Sequence, residues 1–341
     1  MAHGPNPNMI LISHLQNELS DVFKYLIDAN HEIAILDFPN YSNVGDSAIY
    51  LGVLELLRVC FNRAPSYVSE MNFQGLSSNF YGEHRNVVLL HGGGNFGDIW
   101  PAHQNFRERV LRELRDFKII QMPQTIWFKD KQNLERTRRL IADHPDFTLL
   151  VRDAVSFEMA QSFACETYLC PDSAFMLGSI QPVQPPTSKL LLLLRSDRES
   201  RVALEGSRAP DETRIEDWLS ESGVTSVRDR LAGRLDNALP GGGRFRMRMR
   251  MARFEKWARA RVERGIRQLS SAEFIITDRL HGHILSLLLG KDHAIIDNNY
   301  GKVGSFVQHW TSQGGFMVED NLEKAIYSLE TTSDRDSVMK D

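Results

Sequence analysis

Apolar residues Ile12, Leu15, Leu19, Val22, Phe23, Leu26 and Ile27 recur at helical spacing, which predicts an amphipathic helix over 12–28. The period then changes. Glu32 to Phe38 is a short apolar run closed by Pro39 and Asn40, the pattern of a buried strand, and a helix over about 46–61 follows it. The alternation continues with strand 87–90, helix 102–116, strand 118–120, helix 130–142, strand 148–151, helix 153–163 and a strand near 166–169. Gln181 to Ser188 then carries three prolines, which neither a helix interior nor a central strand accepts, so a domain boundary is placed there. Beyond it the pattern restarts with strand 189–194, helix 254–269, strand 274–276, helix 279–289, strand 294–296 and a helix near 320–329.

Strands alternating with helices imply an α/β fold with mostly parallel sheets covered on both faces. Two Rossmann-like domains are expected, over 1–180 and 181–341. The stretch 197–245, with its glycines and many charges, reads as a variable insertion. A chain of 341 residues, 42% hydrophobic and 25% charged, has enough apolar material for two cores. No span is apolar enough for a membrane helix and the first residues lack a secretory pattern, so a cytoplasmic location is expected. Cys60, Cys165 and Cys170 have no metal-type pairing and are expected to be reduced, and no metal site is expected. The net charge of −4 argues against a nucleic-acid partner.

In open α/β sheets ligands bind beyond the carboxyl ends of the strands, so the residues just past each strand carry the chemistry. Asn43-Val44-Gly45-Asp46 opens a helix where free N–H groups favour an anion, with Asp46 either a helix cap or a binding residue. His91-Gly92-Gly93-Gly94-Asn95 brings three glycines directly behind a buried strand, which lets backbone approach a ligand. It is neither a Walker A loop nor a dinucleotide fingerprint. Gln121 to Thr125 and Arg152-Asp153 follow the next two strands, and Arg152 is placed to hold a carboxylate or phosphate unless it forms a structural ion pair. Asp172 is a base or a helix cap. Arg195 ends the leucine-rich strand and is a second candidate anion clamp. Thr277-Asp278-Arg279-Leu280-His281-Gly282-His283 opens a helix so apolar that its polar first turn needs a ligand or a hydrogen-bond network. Arg279 suits an anion, and His281 is the natural proton donor or acceptor. Tyr300 and Lys302 lie past the next strand and are further candidate ligand contacts.

The ordered set of Asn43-Val44-Gly45-Asp46, His91-Gly92-Gly93-Gly94-Asn95, Pro123-Gln124, Val151-Arg152-Asp153, Pro171-Asp172 and Thr277-Asp278-Arg279-Leu280-His281-Gly282 resembles the polysaccharide pyruvyltransferase family. The resemblance spans about 40–302. It implies a glycosyltransferase-B-like pair of domains facing a central cleft, acceptor side first and donor side second. It also implies phosphoenolpyruvate as co-substrate, no other cofactor, and a saccharide acceptor that is polymeric or lipid-linked. The pyruvyl unit would bridge two hydroxyls as a cyclic ketal, with phosphate released. By motif matching, Arg152, Arg279, Leu280 and His281 would form the donor site, the two arginines meeting only across the cleft. Protonation of the methylene carbon falls to His281; His91, Asp46 or Asp172 would be the base or hold the acceptor.

Nine arginines and Lys256 lie between Arg244 and Arg267, interleaved with Phe245, Met247, Met249, Met251, Phe254 and Trp257. This reads either as a patch for an anionic membrane surface or as a solvated helix face. Two other function classes fit the architecture: a glycosyltransferase using a sugar nucleotide, and a non-catalytic sugar or nucleotide binder.

Overall fold

A computed structural model describes residues 6–72, 86–196, 212–218, 244–297 and 302–329. The chain divides into two compact units. One holds Leu15–Met176 and Ser222–Arg261, and the other holds Met1–His14, Leu177–Glu221 and Val262–Asp341. The division at Leu177 falls just before the proline-rich stretch. Met1–His14 and Ser222–Arg261 are each grouped with the half opposite to that expected from a single boundary.

The first unit is built on parallel strands β1 (Ile33–Leu36), β2 (Tyr67–Ser69), β3 (Val87–Leu90), β4 (Gly93–Gly97), β5 (Lys118–Trp127), β6 (Phe147–Val151) and β7 (Glu166–Leu169), in the order β2-β1-β3-β5-β6-β7 with β4 beside β5. β1, β3 and β6 are buried at every position, which explains why they read as continuous apolar runs. Helices α1 (Met9–Leu26), α2 (Val44–Phe61), α3 (Pro101–Glu113), α4 (Lys131–Asp143) and α5 (Ala154–Ala160) occupy the predicted places. Phe106, Val110, Leu111 and Ile141 are packed in one core with Val88, Leu90, Ile119 and Leu149 of the strands.

Two stretches expected as loops are strands. Gly93–Gly97 pairs with the far half of β5, from Gly93 opposite Gln124 to Gly97 opposite Trp127. Gln121 to Thr125 therefore continues as strand after β3 has ended, because β4 supplies a replacement partner. The irregularity falls at Pro123, where the register with β6 shifts between Gln121 and Gln124, as expected where a ladder donor is missing.

The second unit has strands β8 (Ser188–Leu193), β9 (Thr213–Glu216), β10 (Ala272–Thr277), β11 (His293–Ile296) and β12 (Met317–Glu319), all parallel, in the order β12-β11-β10-β8-β9. The α/β class with parallel sheets is thus borne out. β9 corrects part of the expected insertion: Thr213–Glu216 is a strand laid along β8. Residues 197–211 and 219–243 lie outside the described residues. Helix α6 (Arg244–Ser270) begins ten residues earlier than predicted, followed by α7 (Leu280–Leu289), α8 (Lys302–Phe306) and a helix over 322–329.

His283 belongs to this core. Its Nδ1 lies 2.8 Å from Nε2 of His293, its Nε2 lies 2.9 Å from Thr311 Oγ1, and His293 Nδ1 lies 2.8 Å from the Lys291 carbonyl. A carbonyl at one end requires the N–H on His293 Nδ1, so His283 donates from Nδ1 and accepts from Thr311. Burial lowers both histidine pKa values, that of His293 to about 4, so the line is neutral and structural.

Helix α2 is pressed against the chain after β7 at Gly52, where an added Cβ would fall 1.9 Å from the Ser173 carbonyl oxygen. Gly52→Ala forces those backbones apart and is expected to destabilise the protein by about 1–3 kcal/mol. An unchanged urea midpoint and slope would contradict this packing.

Candidate active site

Both sheets contain the same reversal. In the first, β1 is followed by β2 on one side and β3 lies on the other. In the second, β8 is flanked by β9 and β10 in the same way. Ligands of open α/β sheets bind at such a switch point, beyond the carboxyl ends of the two diverging strands. His91, Arg195 and Arg279 follow strands at these two places, whereas Arg152 follows β6 and Asp172 follows β7.

In the first unit the switch is bounded by Asp37 after β1 and His91 after β3. His91 is 2% exposed, and neither ring nitrogen has a hydrogen-bond partner among the described residues. Burial lowers its pKa, while the carboxylates of Asp46, Asp37 and Asp172 act in the opposite direction. A neutral imidazole buried without a partner is costly, which makes His91 a candidate for meeting a polar ligand. The backbone beside it is pinned from below: the His91 carbonyl accepts from Gln121 Nε2 at 2.8 Å and from Gln124 Nε2 at 2.9 Å.

Asp46 lies on one wall. The cap of α2 is Asn43, not Asp46: Asn43 Oδ1 accepts from the Gly45 N–H at 2.9 Å, and its Nδ2 donates to Asp46 Oδ2 at 2.8 Å. Gly93 has φ of 119°, and a Cβ there would meet Asp46 Oδ1 at 3.4 Å. Backbone at this angle with a carboxylate alongside calls for glycine. Tyr41 also hydrogen-bonds Asp46; burial first, then the Asp46 and Asp37 charges, raise its pKa well above the usual value.

Arg152 and Asp172 form a buried ion pair at 2.5 Å, and Arg152 Nε donates to Thr125 Oγ1 at 3.0 Å. The partner is Asp172 rather than the adjacent Asp153, whose carboxylate caps α5 through the Ser156 N–H. The other Asp172 oxygen accepts from the Ala174 N–H at 2.8 Å, so Asp172 combines the expected cap with a counter-ion role. Arg152 Nη2 lies 3.5 Å from where a Cβ on Gly94 would stand. Asn95 is tied into the layer beneath, its Oδ1 accepting from Arg107 Nη2 and Gln124 Nε2, each at 2.8 Å. Arg107 is itself 2% exposed, and burial lowers its pKa to about 10.

In the second unit the switch lies between Arg195, after β8, and Asp278-Arg279, after β10. The Arg195 N–H donates to Asp278 Oδ1 at 2.9 Å. Thr277 Oγ1 donates to the Leu193 carbonyl at 2.7 Å and accepts from the Arg279 N–H at 3.1 Å, which locks the turn between the strands. Arg279 is the N-cap residue of α7 but provides no side-chain cap. The helix therefore opens without a side-chain acceptor from its N-cap residue. The Arg279 guanidinium, 4% exposed, is paired with Asp217, and Asp217 Oδ2 accepts from the Ser196 N–H at 2.9 Å. His281 is half-buried in the first turn of α7. Tyr300 lies outside the described residues, as does the side chain of Lys302, whose backbone opens α8.

The basic segment divides sharply. Arg261 is 1% exposed and donates to the Pro39 carbonyl at 3.0 Å, and Phe254 stacks on Phe38 with ring centres 4.0 Å apart. This part of α6 shapes the chain beyond β1. Phe245, Arg246, Arg248 and Met249 are exposed.

The model of the polysaccharide pyruvyl transferase family matches residues 43–300. Pyruvyl transferase 1 of Schizosaccharomyces pombe is 33% identical, over 92% of this chain and 79% of its own length. The chain belongs to the polysaccharide pyruvyl transferase family. EpsO of Bacillus subtilis, also named for pyruvyl transfer, is 32% identical over 89% of this chain and 91% of its own length. A functionally uncharacterised Klebsiella pneumoniae protein of known crystal structure shares the fold, with a TM-score of 0.60 at 18% identity, covering 89% of this chain and 98% of that one. In this pyruvyltransferase the family match takes in His91 after β3 and Asp278-Arg279 after β10.

Asp37, His103, Asp217 and Arg261 were not picked out by sequence as site residues. Asp37 directly follows a strand, and the strand-end rule could have found it. The others carry no local signal, since each meets its partner across a long sequence separation.

Burial raises the Asp278 pKa to about 6, against the lowering effect of the Arg195 N–H and the Arg279 and Arg195 charges. The folded protein therefore favours the protonated acid, and stability is lost as pH rises from about 4, the unfolded value, through about 6. Asp278→Asn removes this loss. It is expected to be more stable than the parent by roughly 2 kcal/mol at pH 7.5, with the gap shrinking toward pH 4.5. A gap independent of pH in denaturant melts would contradict the assignment.

Proposed function

We propose that this pyruvyltransferase uses phosphoenolpyruvate, joins its pyruvyl carbon to two hydroxyls of one saccharide as a cyclic ketal, and releases phosphate. The observation that carries the proposal is the N-terminus of α7, without a side-chain cap, at the switch point of the second sheet, with Arg279 and Arg195 beside it. Phosphoenolpyruvate brings a carboxylate and a phosphate. Helix N–H groups and guanidinium groups are the chemistry that holds such anions.

In this proposal Arg279 and the N–H groups of Leu280 and His281 anchor the donor, and His281 delivers a proton to the methylene carbon, making C2 electrophilic. Arg152 is the second cation that the donor's two anionic groups call for; its ion pair with Asp172 would be exchanged or shared on binding. The first unit serves the saccharide, with His91, Asp46 and the Gly93-Gly94 backbone lining its place. No metal and no cofactor beyond the co-substrate enter the scheme. The paired-domain architecture of glycosyltransferase-B type is part of the same proposal, as are a cytoplasmic location and a lipid-linked acceptor. Among the described residues no helix is long and apolar enough to cross a membrane. A surface contact through Phe245, Arg246, Arg248 and Met249 fits a lipid-linked acceptor.

Phosphate release from phosphoenolpyruvate that depends on a saccharide tests the reaction. Nucleoside diphosphate release from a sugar nucleotide would select a glycosyltransferase instead. Arg279→Ala is expected to weaken phosphoenolpyruvate binding at least tenfold, while His281→Ala lowers kcat by about 10²-fold or more with little change in donor affinity. Parental rates in both variants would overturn the site assignment. The membrane contact predicts that Phe245→Ser with Arg246→Ser and Arg248→Ser loses co-sedimentation with phosphatidylserine-containing vesicles; no sedimentation of the parent protein would refute it.

A further inference from the structure

We infer that His103, oriented by Asp37, is the base that takes the proton from the acceptor hydroxyl; the inference rests on the transfer proposed above and assigns its unassigned base. Asp37 is the first residue beyond β1, at the switch point. It is 4% exposed and has φ of 70°, a left-handed backbone that a residue with a Cβ rarely adopts and that is concentrated at functional sites. Its Oδ2 lies 2.7 Å from His103 Nδ1, and its Oδ1 has no partner among the described residues.

A buried carboxylate facing Nδ1 keeps the ring proton there, which leaves the Nε2 lone pair as the acceptor. Among the described residues Nε2 makes no hydrogen bond, and the side chain is 11% exposed, so the ring edge is reachable from solvent. His103 stands in the first turn of α3, which fixes its position beside the chain beyond β1. Tyr41 packs edge-on against it with ring centres 6.1 Å apart.

The alternatives are engaged elsewhere. Asp172 is held by Arg152 and Ala174, and Asp46 by Asn43 and Tyr41. His91 has no carboxylate bonded to its ring to fix a tautomer or stabilise an imidazolium. It is suited to binding a hydroxyl, whereas the Asp37–His103 pair is suited to deprotonating one.

In the first addition the acceptor O–H bond breaks and its proton passes to His103 Nε2. The oxygen pair forms the bond to C2, and the C2–C3 π pair takes a proton from the acid to form a methyl group. When the second hydroxyl displaces phosphate, the proton on His103 leaves with it as hydrogen phosphate, and the second hydroxyl's proton restores the acid.

His103→Asn tests this in the full chain, because it keeps an N–H for Asp37 while removing Nε2; His103→Gln is the second variant should the first not fold. Saccharide-dependent phosphate release is measured with methyl hexopyranosides and with deoxyfluoro counterparts whose neighbouring hydroxyl is more acidic, alongside direct phosphoenolpyruvate binding. The expected result is a roughly 10²–10⁴-fold lower kcat. Donor affinity should stay within about threefold, and the deficit should shrink on the more acidic acceptor. A kcat close to the parent's, or a deficit identical for both acceptors, overturns the role of His103 while leaving the transfer reaction standing. A parent protein silent with every saccharide overturns the transfer and the base with it.

Discussion

The structure depends on one constraint of parallel sheets. Where strand order reverses, two neighbouring strands send their following chains to opposite faces, and a crevice opens between their carboxyl ends. Buried strands deliver polar residues into that crevice, and polar groups buried there must find partners or a ligand. In this chain the constraint operates twice. Asp37 and His91 meet it in the first sheet, Arg195 and Asp278-Arg279 in the second.

The two crevices are supported differently. The first rests on a buried polar floor. Arg107 donates to Gln121 Oε1 at 2.7 Å and to Asn95 Oδ1 at 2.8 Å, and the two glutamines hold the His91 carbonyl. Such a network is stable only when nearly complete, so it fixes the His91 backbone and leaves the ring nitrogens without a partner among the described residues. The second rests on the turn locked by Thr277, with Asp217 as counter-ion to Arg279. Burying Asp278 next to that arginine costs stability near neutral pH, the kind of cost concentrated where chemistry is done.

Much of this was legible in the sequence because buried parallel strands announce themselves as apolar runs and the residues after them occupy the rim. Asn43 to Asp46, His91 to Asn95, Arg152 and Thr277 to His281 were found that way. Where the sequence misled, a long-range contact had decided the matter. Gln121 to Thr125 reads as a loop after a three-residue strand, and is strand because Gly93–Gly97 pairs with it. Arg261 is one of nine arginines in a basic run, and its burial and its bond to Pro39, 222 residues away, show that it is part of the interior. His103 reads as one polar position on a helix until Asp37, 66 residues earlier, is placed against it.

In the proposed reaction C2 of phosphoenolpyruvate becomes a carbon bonded to two oxygens of one saccharide. Carbon-13 placed at C2 of phosphoenolpyruvate and followed by NMR into the isolated saccharide tests it most directly. A labelled quaternary ketal carbon next to a methyl group is expected, with one phosphate released for each ketal formed. Label found in free pyruvate, or remaining in phosphoenolpyruvate while the saccharide is modified by another group, would contradict it.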